Sequence, residues 1–222
     1  MTPTRDDECT GAPPGTACIV EDDDALADAL QFLFASRGLR SRRFDCAESF
    51  LEFVAAQPRW PAEPSCVLLD VRMRQISGVE LFDRLCERDP GHAVPVLFLT
   101  GHGDIGMAVE ALKKGAFDFF EKPFNDNRLA DRVGEALRCS QTRIRRSSHE
   151  AEHRARLARL SARERDVMAL VLMGKRNKLI ADELGISMRT VEVHRSSLFA
   201  KMEVRSAVEL ARLLAHDDDP ER

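Results

Sequence analysis

The sequence predicts an α/β fold, a five-stranded parallel sheet of (βα)5 type covered by helices on both faces, followed by a small all-α domain of four helices. Three observations carry this. Between residues 17 and 138, short apolar runs alternate five times with segments of helical periodicity, the pattern of strand–helix units in a parallel sheet. Beyond residue 158 no strand-like run recurs, and four helical patterns follow one another. Charge divides near the same place: residues 1–137 hold 15 basic and 24 acidic side chains, a balance of −9, whereas residues 138–215 hold 17 and 9, a balance of +8.

Residues 1–16, with Pro3, Gly11, Pro13, Pro14 and Gly15, read as a disordered leader. Ala17–Val20 is the first strand. Asp24–Arg37 is the first helix, because Leu26, Leu30, Leu33 and Phe34 share one face and Gly38 can close it. Leu39–Arg43 is a weaker strand, and Ala47–Ala56 a helix with Phe50, Leu51 and Val54 inward. Strand Cys66–Leu69, helix Val79–Arg88, strand Val96–Leu99, helix Ile105–Lys114, strand Phe117–Phe120 and helix Asp126–Arg138 complete a first domain, residues 17–138. Residues 139–157 are polar, Arg-rich and free of Pro and Gly, a linker that can be helical. The second domain, 158–215, holds helices Ala162–Met173, Asn177–Leu184, Arg189–Met202 and Ser206–Ala215. Residues 216–222 form an acidic tail, expected to be disordered.

Bulk properties exclude several classes. No run approaches the roughly 18 apolar residues of a membrane span, and the acidic start Arg5-Asp6-Asp7-Glu8 lacks the apolar core of a signal peptide. A cytoplasmic protein with no membrane partner is expected. The six cysteines (9, 18, 46, 66, 86 and 139) show no CxxC pair, so free thiols packed as small hydrophobes are expected rather than a disulfide or thiolate metal site. A basic half joined to an acidic half suggests a nucleic-acid reader attached to something that is not one.

The strand ends carry chemistry. Ile19-Val20 runs into Glu21-Asp22-Asp23-Asp24; Cys66-Val67-Leu68-Leu69 ends in Asp70; Val96-Leu97-Phe98-Leu99 ends in Thr100; Phe117-Asp118-Phe119-Phe120 runs through Glu121 into Lys122. In an open parallel sheet, ligands bind beyond the carboxyl ends of the strands. Clustered carboxylates suit Mg²⁺, which takes hard oxygen ligands and keeps several waters. An aspartate there can serve as a nucleophile toward phosphorus. Lys122 can place a point charge on a phosphoryl oxygen and Thr100 a hydroxyl donor on another, while Gly101 leaves room for a phosphodonor.

In the second domain, Asn177–Leu184, Gly185-Ile186-Ser187 and Arg189–Met202 read as helix, tight turn, helix. Gly185 can take the left-handed conformation that ends a helix, and Ser187 can cap the next. This is the arrangement in which a second helix enters the major groove of double-stranded DNA. At about 100° per residue, Val191, Leu198 and Met202 share one stripe and face the core. Arg189, Val193, Ser196 and Ala200 lie opposite, with Glu192 and Ser197 beside them. That outer face is expected to meet base edges, and Asn177, Lys178, Thr190, Arg195 and Lys201 to meet phosphates.

The motifs Ile-Val-Glu-Asp-Asp, Leu-Leu-Asp-Val-Arg-Met, Leu-Thr-Gly-His-Gly-Asp, Met-Ala-Val-Glu-Ala, Lys-Lys-Gly-Ala and Phe-Glu-Lys-Pro-Phe resemble the flavodoxin-like receiver domain of two-component response regulators. Leu-Ser-Ala-Arg-Glu-Arg-Asp-Val-Met, Asn-Lys-Leu-Ile-Ala-Asp-Glu-Leu-Gly-Ile-Ser and Arg-Thr-Val-Glu-Val-His-Arg resemble the LuxR-type DNA-binding domain. Together they look like the FixJ/NarL class. The resemblance implies that Asp70 accepts phosphate from a partner histidine kinase. It implies that Glu21, Asp22, Asp70 and the Arg72 carbonyl hold Mg²⁺ directly or through water. It also implies that Thr100 and Lys122 read the phosphoryl group and that Phe119 is an aromatic switch. Promoter DNA, a homodimer formed on phosphorylation and RNA polymerase are the further partners it brings into view.

The chain departs from the family pattern at five places. Glu21 replaces the commoner Asp, Arg74-Gln75 stands where Pro-Gly is usual, Met188 replaces a frequent Pro, and Glu203 a frequent Gly. Phe119 replaces a frequent Tyr. Two other readings compete. One is a phosphorylation-independent DNA-binding regulator whose receiver is a dimer scaffold. The other is an Asp- and Mg²⁺-dependent phosphatase, which usually needs a second Asp two residues after its nucleophile, where this chain has Arg72. The expected chemistry is otherwise confined to phosphorylation and dephosphorylation of Asp70 itself.

Overall fold

The computed structural model describes residues 15–58, 60–89, 91–101 and 105–215. Most of the leader and the acidic tail lie outside the described residues. The chain forms two compact units that divide at Arg145/Arg146.

In the first unit, β1 (Thr16–Val20), β2 (Arg40–Phe44), β3 (Ser65–Asp70), β4 (Val96–Thr100) and β5 (Asp118–Glu121) form one sheet in the order β2-β1-β3-β4-β5. Every pairing is parallel. β3 and β4 are buried along their whole length, as expected of central strands covered on both faces. Edge strand β2 exposes Arg40 and alternates with buried or half-buried positions. The helices divide between the two faces according to their apolar stripes. Leu30 and Phe34 of α1 (Asp24–Ser36) join Leu129, Val133 and Leu137 of α5 (Asp126–Ala158) in one cluster. Phe50 and Val54 of α2 (Ala47–Ala55), Leu81, Phe82 and Leu85 of α3 (Gly78–Arg88) and Ala111 of α4 (Ile105–Lys113) join another. The strand order reverses between β1 and β3, and the crevice at their carboxyl ends is the expected ligand position of such a sheet.

The expected elements are present, with ends shifted by at most one residue except at α5. That helix does not stop at Arg138 but runs for 33 residues to Ala158. Its residues 139–145 belong to the first unit: Ser140 is buried, its hydroxyl accepts the Ser65 N–H at 3.1 Å, and Arg143 donates to the His92 carbonyl.

The second unit contains α6 (Ala162–Leu172), α7 (Asn177–Leu184), α8 (Met188–Met202) and α9 (Ala207–Ala215). Val167, Val171, Ile180, Val191, Leu198, Met202 and Leu210 form its core. Ser161 and Glu164 make a reciprocal capping box at the start of α6. Gly185 closes α7 at φ 63°, and the Ser187 hydroxyl accepts the Thr190 N–H at 3.1 Å, so turn and cap are as the residues predict. Cys18 and Cys66 are buried as small hydrophobes, and burial pushes the Cys18 thiol up to about 12. No helix among the described residues is long and apolar enough to cross a membrane.

Candidate functional site

At the end of β1 the four consecutive acids take different tasks. Asp23 caps α1, its carboxylate accepting from the Ala25 and Leu26 N–H groups at 2.9 and 3.2 Å. Asp24 pairs with Arg43. Glu21, almost fully buried, and Asp22 are left facing Asp70 at the end of β3. One carboxylate oxygen from each of Glu21, Asp22 and Asp70 can be chosen so that all lie within 4.8 Å of one another, close enough for a single cation.

Lys122, carried beyond β5, joins the cluster from the other side. Its ammonium donates to Asp70 Oδ1 at 2.7 Å and to Glu21 Oε2 at 2.9 Å. Its own N–H donates to the Thr100 carbonyl at 2.7 Å, which ties the loop to the end of β4. The second Asp70 oxygen, Oδ2, accepts the Arg72 N–H at 3.0 Å. Burial pushes the Glu21 carboxyl above the usual carboxylate range; the Lys122 hydrogen bond only partly offsets this, and the Asp70 charge adds to it. For Lys122, burial works against the ammonium, but its bonds to Asp70 and Glu21 outweigh it and raise the pKa above that of an ordinary lysine. Buried acid crowding of this kind is relieved by a bound cation, and the donor set, all carboxylate, matches hard Mg²⁺ chemistry.

Thr100 is buried at the end of β4, with its hydroxyl 3.5 Å from the Phe120 carbonyl, a long and weak contact that leaves it able to serve another acceptor. Phe119 is half-buried and packs on the cluster formed by α2, α3 and α4. Gly78 is a residue the motif analysis passed over. A Cβ there would lie 2.1 Å from the Asp70 carbonyl oxygen, so any side chain would displace the backbone of Asp70. A glycine opening a helix behind Ser77 was the only local signal, and its partner eight positions upstream is visible only in three dimensions.

In the second unit, Arg189, Glu192, Val193, Ser196 and Ala200 are exposed on one side of α8, while Val191, Leu198 and Met202 are buried on the other. Lys178 on α7 is exposed. Asn177 and Arg195 are joined, the guanidinium donating to Asn177 Oδ1 at 2.8 Å, and Arg195 also lies over the Phe199 ring. The Thr190 hydroxyl shares a 2.8 Å hydrogen bond with that of Ser187. Lys201 is placed elsewhere than on the open face: its ammonium sits on both oxygens of Glu164, at 2.9 and 2.7 Å, with Ser197 donating to the same carboxylate. These bonds hold the Glu164 carboxyl down at about 2 and pin α8 to the start of α6.

Comparison with known proteins agrees with both halves of this geometry. The response regulator receiver domain family matches residues 17–134, and the LuxR family of bacterial regulatory proteins matches residues 158–214. The C4-dicarboxylate transport transcriptional regulatory protein DctR of Rhodobacter capsulatus is 48% identical over 89% of this chain and 98% of its own. The transcriptional regulatory protein FixJ of Bradyrhizobium diazoefficiens is 41% identical over 90% of this chain and 94% of its own. Among solved structures, the response regulator StyR aligns with a TM-score of 0.82 at 36% identity, covering 91% of this chain and 99% of that one. The aspartate set among acids and a lysine at the reversal of the parallel sheet lies within the stretch matched by the receiver family, and the exposed second helix behind a tight turn within the stretch matched by the LuxR family. The chain belongs to the two-component response regulators that join a receiver domain to a LuxR-type DNA-binding domain.

Proposed function

We propose that Asp70 is the phosphoryl acceptor through which a partner histidine kinase controls DNA binding by the second unit. The observation that supports this best is the convergence on Asp70 of Glu21 and Asp22 from the end of β1 and of Lys122 from the end of β5. A carboxylate oxygen of Asp70 attacks the phosphorus of a phosphohistidine in line; the O–P bond forms as the P–N bond breaks, and the imidazole leaves with the electron pair. Lys122 then turns its charge to a phosphoryl oxygen and the Thr100 hydroxyl donates to another. Mg²⁺, held by Glu21, Asp22, Asp70 and the Arg72 carbonyl, would neutralise charge on the transferred group. Movement of Thr100 toward the phosphoryl group opens space for Phe119, which couples the buried event to the surface of α4 and β5. Met107 and Val109, 42% and 41% exposed, leave apolar side chains on α4 that a second copy of the chain can cover.

On DNA, the exposed side of α8 enters the major groove with Arg189, Glu192, Val193 and Ser196 toward base edges. Lys178, Asn177, Thr190 and Arg195 lie toward phosphates. A dimer places two such helices on half-sites about one helical turn apart, and a DNA-bound regulator is then positioned to meet RNA polymerase. The test is acyl-phosphate formation with acetyl phosphate and Mg²⁺, read by intact mass. The wild type is expected to gain one alkali-labile phosphoryl group and Asp70→Asn none. Full modification of Asp70→Asn would overturn the assignment.

A further inference from the structure

Each of the three carboxylates suited to the cation already faces a cation of the protein. Lys122 serves Glu21 and Asp70, at 2.9 and 2.7 Å. Arg74 serves Asp22, its Nε 3.6 Å from Asp22 Oδ2. The two protein cations are not equivalent. Lys122 is 28% exposed and held between two carboxylates that are almost fully buried. Arg74 is 91% exposed and stands on the loop after β3, at the rim of a cleft of about 420 Å³ lined also by Asp22, Asp24, Asp45, Cys46 and Gln75. The loop follows a constrained path here, with Gln75 held at φ 61° beside it. A divalent cation seated on Glu21, Asp22 and Asp70 meets like charge from Arg74 and competes with it for Asp22.

We infer that Arg74 is a built-in competitor of the divalent cation: its guanidinium pairs with Asp22, must swing aside on loading, and raises the Mg²⁺ concentration the receiver needs. The inference rests on the reading of Glu21, Asp22 and Asp70 as the cation site. An exposed ion pair has a small effect, and like-charge repulsion across the loaded site adds to it, so the cost in affinity is about two- to fivefold. Both parts are screened by salt. The effect belongs to this chain's arginine, because a neutral side chain at the same place offers Asp22 nothing.

Calorimetric titration of the full chain with Mg²⁺ alone, without phosphodonor, separates the possibilities. At low ionic strength Arg74→Ala is expected to bind Mg²⁺ about two- to fivefold more tightly than wild type. The gap is expected to narrow at about 0.5 M KCl, where the screening length falls toward a few ångströms. In an Asp22→Asn background, where the pair no longer exists, Arg74→Ala is expected to change the affinity less than it does in the wild type. An Arg74→Ala affinity equal to or weaker than wild type at low salt, with binding still weakened by Asp22→Asn, would overturn the role of Arg74 while leaving the cation site intact. Binding indifferent to Asp22→Asn would overturn the cation site and the inference together. Arg74 packs against almost nothing, so the substitution tests charge rather than folding.

Discussion

Gln75 and Glu203 are left-handed at φ 61° and 56°, and both stand where the family pattern commonly has glycine. The fold has kept the glycine conformation and accepted the strain, which for a residue with a Cβ is roughly 1–2 kcal/mol. Replacing Gln75 by Gly is expected to stabilise the first unit by about 0.5–1 kcal/mol, since the relief exceeds the entropy that glycine adds to the unfolded chain. Glu203→Gly is expected to give less, because Glu203 also pairs with Arg156 at 2.8 Å and that contact is lost. Urea midpoints of the two variants check both; a destabilised Gln75→Gly would contradict the account of the loop. Glu164 works in the opposite sense. Its carboxyl is held at about 2, below the value it would have unfolded, so its stabilising contribution is present at neutral pH and fades as pH falls toward 2. Glu164→Gln is expected to lower the stability of the second unit by about 1–3 kcal/mol at pH 7. The gap to wild type should shrink steadily below pH 4, and a gap independent of pH would show that packing, not charge, is at stake.

For α8 the exposed and buried faces separate two kinds of substitution. Lys178→Ala, beside the helix, is expected to weaken binding to all duplexes alike and to reduce the log–log salt slope by about 0.9. Substitution of Glu192 or Ser196 is expected to change preference at one base pair by about 1–3 kcal/mol. Lys201→Ala serves as the contrast: because its ammonium sits on Glu164, it should act on the stability of the unit and leave the salt slope nearly unchanged. A full unit of slope lost with Lys201 would move that residue back to the DNA face. Sequence periodicity was enough to separate Val191, Leu198 and Met202 from the outer face, since a single helix determines which residues share a stripe. It could not show that Lys201 is taken, because its partner lies 37 positions upstream on another helix. The acid and lysine positions of the receiver were legible for a related reason: strand ends in a parallel sheet converge by topology, whatever the loops between them do. The course of α5 was not, because an Arg-rich stretch without an apolar stripe reads equally as linker or solvated helix.

At the scale of the whole chain, the two compact units divide at Arg145/Arg146, within the 139–157 stretch, and this bears on how the parts are taken. A receiver fragment ending at Arg138 would lose the Ser140 hydroxyl that accepts the Ser65 N–H, and so should be less stable than one ending at Arg145. Sedimentation of residues 1–145 with and without acetyl phosphate is expected to show a dimer only in the phosphorylated state, and Met107→Lys to abolish it. A receiver that stays monomeric where the full chain is active would instead favour release of the DNA-binding unit as the consequence of phosphorylation. Both routes share one claim, that charge placed on Asp70 changes the affinity of α8 for DNA. The direct measurement is binding of the full chain to a duplex selected by it from a random pool, at fixed salt and Mg²⁺, with and without acetyl phosphate. The affinity of the wild type is expected to rise by about tenfold, within the usual range of coupling between two sites, and that of Asp70→Asn to stay unchanged. An equal rise in Asp70→Asn, or none in wild-type protein shown by mass to carry the phosphoryl group, would contradict it.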